Sequence, residues 1–222
     1  MHKEFYGWYD SGEMVRVPIF AIYHARYKTK FVFCEFPIVT SHQFITLIPK
    51  ENIYLDVLRL KALLAYLNSS FTQYYIEIRG TPAAKGPIGL EVSIARDMPI
   101  LDIRKLSDKA ITELAALFDR LESEARHIGG ASEREQLEKL KPVIFEIDKA
   151  LAKLLNIPES VVKLIEDQVN MLVERRVTGG KEAMRESVKG ETEVKLKPPR
   201  RHRSSESTKH LPLDLFMTKN QP

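Results

Sequence analysis

One cysteine, Cys34, stands in the whole 222-residue chain, which excludes an internal disulfide and any cysteine-based zinc site. Set in the apolar run 31–36, it reads as a buried, inert thiol. Long apolar stretches are missing too. The first twenty residues carry early charges, and nothing later approaches the ~18 apolar residues of a membrane span. A cytoplasmic protein without a membrane partner is therefore expected. No phosphate-cradling glycine motif exists, because the glycines at 80, 86 and 89 are too widely spaced and follow a helical pattern instead of a strand. The six histidines, at 2, 24, 42, 127, 202 and 210, never pair at metal-ligand spacing. A Gly-x-Ser-x-Gly elbow is absent as well. No catalytic, cofactor-binding or metal-binding residue is expected in this chain.

Strong net charge is also lacking over most of the molecule. The formal charge is +4, but residues 178–222 hold ten Lys/Arg against six Asp/Glu, leaving 24 of each sign in the 177 residues before them. Any face for a polyanion on the folded part must therefore be local.

Periodicity divides the rest. Val15, Val17, Ile19 and Ala21 alternate, residues 31–36 are rich in strand formers, and 44–48 is a further apolar run, with Pro18, Pro37 and Pro49 marking strand starts, edges or ends. Residues 25–30 between the first two runs form a basic hairpin or loop. From Leu55 the spacing turns helical: Leu58, Leu60, Leu63, Leu64 and Leu67 share one stripe, and Phe71, Tyr74, Tyr75 and Ile78 continue it after an interruption at Asn68, Ser69 and Ser70. Those three are capping residue types, so two consecutive helices or one bent helix are expected. Tyr74 and Tyr75 read as core aromatics before base-stacking platforms. Residues 80–89 hold two prolines and three glycines and must be a loop.

Beyond Ser107 the chain is helical. One helix ends at Gly129 and Gly130. A second opens with Ser132 and Glu135 at capping-box spacing and contains Pro142, which should kink it or mark a restart. A third begins at Pro158 with Val161, Val162, Leu164, Ile165, Val169 and Leu172 as its apolar side, and Gly179 and Gly180 should stop it. The expected fold is α+β: a small, mostly antiparallel sheet with two helices in residues 1–106, a helical C-terminal region over 107–178, and a disordered basic tail over 179–222 with one apolar patch at 211–216.

Residues 63–100 carry the most information. An apolar helix ends in Leu67-Asn68-Ser69, an aromatic helix follows over 71–78, a glycine-rich loop spans 80–89, and a short segment closes in Met98-Pro99-Ile100. That order resembles the C-terminal target-recognition region of N6-adenine DNA methyltransferases of restriction-modification systems. Residues 40–50 are similar to the family's strand segment before the helix, and 145–156 to its closing helix, so the resemblance covers roughly 15–176. It implies binding to double-stranded DNA, with S-adenosylmethionine held by a missing catalytic half or a separate methyltransferase subunit. The family's Asn/Asp-Pro-Pro-Tyr/Phe motif is absent; the only Pro-Pro here, Pro198-Pro199, precedes Arg200. The chain is thus not expected to methylate alone.

Base modification requires extrusion of the base, at a few kcal/mol of unstacking, and a second lobe that grips the duplex. Arg26, Lys28, Lys30, Arg79 and Lys85 are the phosphate candidates, all in loops or at element ends. Ser41, His42 and Gln43 are the base-edge candidates, since Gln can bond adenine bidentately. Arg79 is equally suited to capping a helix C-terminus. The basic run 195–203 in the tail is a further candidate for counterion release. Two other classes remain open: a helical scaffold that docks a protein through 107–176 and never touches DNA, and a nuclease, for which the one Glu-x-Lys, at 193–195, lies in the tail instead of on a strand.

Overall fold

The computed structural model describes residues 17–38, 43–48 and 55–193, with side chains from 19–34, 43–48 and 55–179. Ser41 and His42, as well as the basic run 195–203 and the apolar patch 211–216, lie outside the described residues. The chain divides into two compact units, residues 1–186 and 187–222. Of the second, 187–193 is described, and it is helical.

The fold of the first unit is α+β. Strands β1 (Val17–Ile22), β3 (Phe31–Ile38) and β4 (Phe44–Leu47) form an antiparallel sheet in the order β3-β1-β4. Its register shifts between Val17 and Ile19, where Pro18 cannot donate to the ladder. A second, very small antiparallel sheet joins β2 (His24–Ala25), β5 (Thr81–Pro82) and β6 (Ile88–Gly89) in the order β2-β6-β5. It ties the basic segment after β2 to the glycine-rich loop.

Helices α1 (Val57–Leu67) and α2 (Ser70–Arg79) are separate. The break follows from side-chain chemistry: Asn68 ends α1, and the Ser69 hydroxyl accepts from Thr72 N to begin α2. A short α3 (Val92–Arg96) and a 3-10 turn at Ile103–Lys105 lead to α4 (Asp108–Ile128), α5 (Glu133–Leu154) and α6 (Glu159–Glu193). The core runs from the sheet, through Ile19, Ala21 and Phe31, across Leu60, Leu64 and Leu67 of α1, to Ile111, Leu114 and Phe118 of α4 and Val143, Ile147 and Leu151 of α5.

Three local expectations change, and one is narrowed. The helix α5 runs unbroken through Pro142, whose neighbours Leu140, Val143 and Ile144 are all buried and hold both halves in place. The helix α6 passes Gly179 and Gly180 and continues to Glu193. Each interior glycine costs only ~1 kcal/mol, and the following Lys, Glu, Ala, Met and Arg are good helix formers. Its apolar side is shifted: Val162 is buried as expected and Val173 and Val177 join it, whereas Leu164 is 57% exposed, as Met171 is at 52%. Last, Cys34 is half-buried and free, not sealed in a core, because the outer strand β3 has a neighbour on one side only in its sheet.

Candidate nucleic-acid interface

The loop between α2 and β6 is anchored at both ends. At its start, Gly80 N donates to Ile76 O at 2.7 Å. A Cβ added at Gly80 would lie 2.5 Å from Ile76 O and 2.6 Å from Ile88 Cγ1, so only glycine permits the sharp exit from α2. Within the loop, Ala83 N donates to Pro87 O at 2.9 Å and Gly86 N to Ala83 O at 3.3 Å. Lys85 and Gly86 both adopt left-handed backbone angles, with φ 71° and 94°.

The helix α6 clamps this loop from one side. The Arg176 guanidinium pairs with Glu77 through Nη2–Oε1 at 2.8 Å and Nε–Oε2 at 3.0 Å, and its Nη1 donates to the carbonyls of Arg26 (2.8 Å) and Gly86. Both side chains of the pair are deeply buried, at 10% and 1% exposure. Gly86 is buried under the helix, where a Cβ would stand 3.2 Å from Val177 Cα. Thr81, Pro82, Ala84 and Lys85 remain exposed, so the loop is fixed at its base and open at its tip.

Several predicted cations collect here. Arg26 Nη2 donates to Lys85 O at 2.6 Å, which joins the basic segment to the loop tip. Exposed Arg79 stands at the C-terminal turn of α2, directly before the loop. Exposed Arg175, with Arg176, lines the groove between α6 and the loop residues Pro82, Ala83 and Gly86. The sequence reading missed this arginine pair, although two adjacent arginines in the last predicted helix were a visible signal. Gln43, exposed, offers its carbonyl to Tyr23 N at 2.8 Å just before β4.

Lys28 is a correction. It is buried, at 8% exposure, with Nζ 3.4 Å from Ser69 O. Burial pushes its pKa down to about 8, against the opposing pull of Asp148 and Glu77. A cation enclosed by α2 and α5 has no surface to offer a phosphate. Lys30 is half-buried and its ammonium is engaged, donating to Gln136 Oε1 of α5 at 2.8 Å.

These two lysines belong to a buried polar seam that locks the basic segment onto α2. Asn68 Oδ1 accepts from Phe31 N at 3.1 Å, while its Nδ2 donates to Phe31 O and Leu64 O, each at 2.9 Å. The side chain thereby substitutes for a missing strand at the start of β3. Gln73 Oε1 accepts from Thr29 N at 3.0 Å, and Asp148 Oδ1 accepts from Ser70 N at 2.8 Å. Burial pushes Asp148 up to about 6, though hydrogen bonds from Ser70 and the nearby Lys28 act in the other direction. Tyr75, half-buried, donates its hydroxyl to Ile94 O at 3.3 Å; Tyr74 is also half-buried.

Among the described residues no cluster of three or more His, Cys, Asp or Glu could hold a metal ion, and no helix is long and apolar enough to cross a membrane. Comparison with protein-family models, with curated proteins and with solved structures finds no match to this chain.

Proposed function

We propose that this chain binds double-stranded DNA as the target-recognition part of an N6-adenine DNA methyltransferase of a restriction-modification system, methyl transfer residing in a separate S-adenosylmethionine-binding half or subunit. One observation carries the reading: a loop held rigid by Gly80, Gly86 and the Arg176–Glu77 pair bears exposed Lys85 at its tip, with Arg26, Arg79 and Arg175 around its base. A loop with fixed backbone and convergent cations suits phosphate contacts, which position a protein on a duplex without themselves reading sequence. The ordered series of helix, Asn-Ser turn, aromatic helix and glycine loop supports the same reading. Base-edge contacts are assigned to Ser41, His42 and Gln43.

Fluorescence anisotropy on mixed-sequence duplexes at low and moderate salt tests it. Binding should weaken linearly in log–log form with salt, and Arg79→Ala, Lys85→Ala and Arg175→Ala should each flatten that slope by about 1 while leaving thermal stability unchanged. Absence of binding, or binding without salt dependence, defeats the proposal. A second reading, a protein-docking scaffold, draws on exposed Leu164 and Met171 of α6, and would be the better account in that event.

A further inference from the structure

Residues of α5 and α6 line a cleft of about 390 Å³, within the ~300–1,000 Å³ range of small-ligand sites. Its walls are apolar: Leu137, Ile144 and Phe145 from α5 face Val169 and Val173 from α6. Its floor is polar, formed by Lys28, Ser70 and Asp148. Asp148 is fully buried, and while Oδ1 accepts from Ser70 N, Oδ2 has no hydrogen-bond partner among the described residues. An unsatisfied buried carboxylate oxygen costs several kcal/mol unless a donor reaches it.

The charged groups around the cleft show which donor fits. At its mouth Arg134 pairs with Glu174 at 2.9 Å and Lys141 with Glu138 at 2.9 Å, so those four cancel. Glu166 also lines the cleft, acts on Asp148 as a like charge, and forms no ion pair among the described residues. Against these two carboxylates stands one cation, Lys28, which attracts Asp148 and donates to Ser69 O but gives Asp148 Oδ2 no hydrogen bond. The uncompensated excess is negative and lies beside an apolar wall.

We propose that the α5/α6 cleft is a binding site for a small organic amine, its ammonium donating to Asp148 and Glu166 and its hydrocarbon body packed against Leu137, Phe145, Val169 and Val173. This site is independent of the DNA reading. A primary ammonium brings three donors to a floor where Asp148 Oδ2 has none, and an apolar chain of a few carbons fills the rest. The carboxylates give the charge preference, and the walls set the length.

Isothermal titration calorimetry on the full chain at pH 7.5 tests this with hexylamine, hexanol and hexanoate as probes. Hexylamine should bind at least about tenfold more tightly than hexanol, and hexanoate should not bind. Glu166→Gln, a half-buried position whose change leaves the fold intact, should weaken hexylamine about fivefold or more without altering hexanol; Asp148→Asn should do the same if it folds. Equal affinity for amine and alcohol would reduce the cleft to an apolar crevice and overturn the proposal. So would a Glu166→Gln variant that binds hexylamine as well as the parent, or no heat from hexylamine at ~10 mM.

Discussion

At the scale of single residues, the polar seam under β3 and α2 decides how the basic segment is held. Asn68 satisfies both the N–H and the C=O of Phe31 and also caps Leu64 O. Asn68→Ala should therefore cost about 2–4 kcal/mol in urea unfolding, since it strands two buried main-chain groups as well as losing the bonds; a loss below ~1 kcal/mol would mean that water replaces the side chain. Asp148 gives a pH signature. Its folded pKa, about 6, lies above the ordinary 3.8, so its contribution to stability is greatest when protonated, is full below about pH 4, and is lost as pH rises through 6. Lys28 is displaced the other way, from 10.5 to about 8, and its contribution grows as pH rises between those values. Asp148→Asn keeps an acceptor for Ser70 N but removes the titration. Relative to that variant, the parent should gain on the order of 1–3 kcal/mol between pH 7 and pH 4.5, measured by denaturant titration at both. An unchanged difference would show that the carboxyl titrates normally. Sequence alone gave Asn68 away as a helix interruption of capping type, but it could not disclose that Lys28 is buried. The burial depends on Asp148, 120 residues further along the chain, and on the packing of α2 against α5, whose Ser70–Asp148 contact spans 78.

At the scale of elements, α6 is held to the loop by one arginine more than by a broad apolar seam. Arg176 bridges Glu77 of α2, the carbonyl of Arg26 and the carbonyl of Gly86. Removing it takes from buried Glu77 its ion-pair partner, and breaking a buried pair from one side typically costs about 3–5 kcal/mol. Arg176→Ala should lower stability by that order. It should also speed hydrogen exchange at Ala83 N and Gly86 N, whose bonds lie within the loop, more than at α1 or α4. If those loop amides keep their protection, the loop is self-supporting and α6 is not its clamp. The elements themselves were legible wherever the period was strong. Helices α1, α2, α4 and α5 follow from their apolar stripes and caps, Ser132 Oγ accepting from Glu135 N at 3.3 Å as the capping spacing implied. Half of that box is diverted: the Glu135 carboxylate takes Lys139 at 2.8 Å, while Glu133 accepts from Tyr27 N. What local rules misjudged were the glycines at 179 and 180, while at Pro142 the helix continues without a restart. A helix breaker is a local penalty of a few kcal/mol, and buried flanks or strong helix formers on both sides outweigh it.

On the scale of the whole molecule, charge is divided unevenly along the chain. Residues 187–222 carry eight Lys/Arg and four Asp/Glu, which leaves 26 of each sign in residues 1–186, the compact unit that contains the core, the loop and the α5/α6 cleft. A neutral unit with a local cationic patch and a basic extension would divide DNA affinity into two parts. Each neutralised phosphate adds about −0.9 to the salt slope of duplex binding. Up to eight contacts from the extension would therefore outweigh the three or four available from Arg26, Arg79, Lys85 and Arg175. Truncation to residues 1–186 should leave the unfolding midpoint unchanged, because every core residue is retained. It should weaken binding to mixed duplex DNA and reduce the slope to about −3. On that truncated protein, Lys85→Ala and Arg79→Ala should take away a much larger share of the remaining affinity than they do in the full chain. If the truncated protein binds no DNA at low salt, attraction resides in the extension alone, and the loop between α2 and β6 has no claim to a duplex.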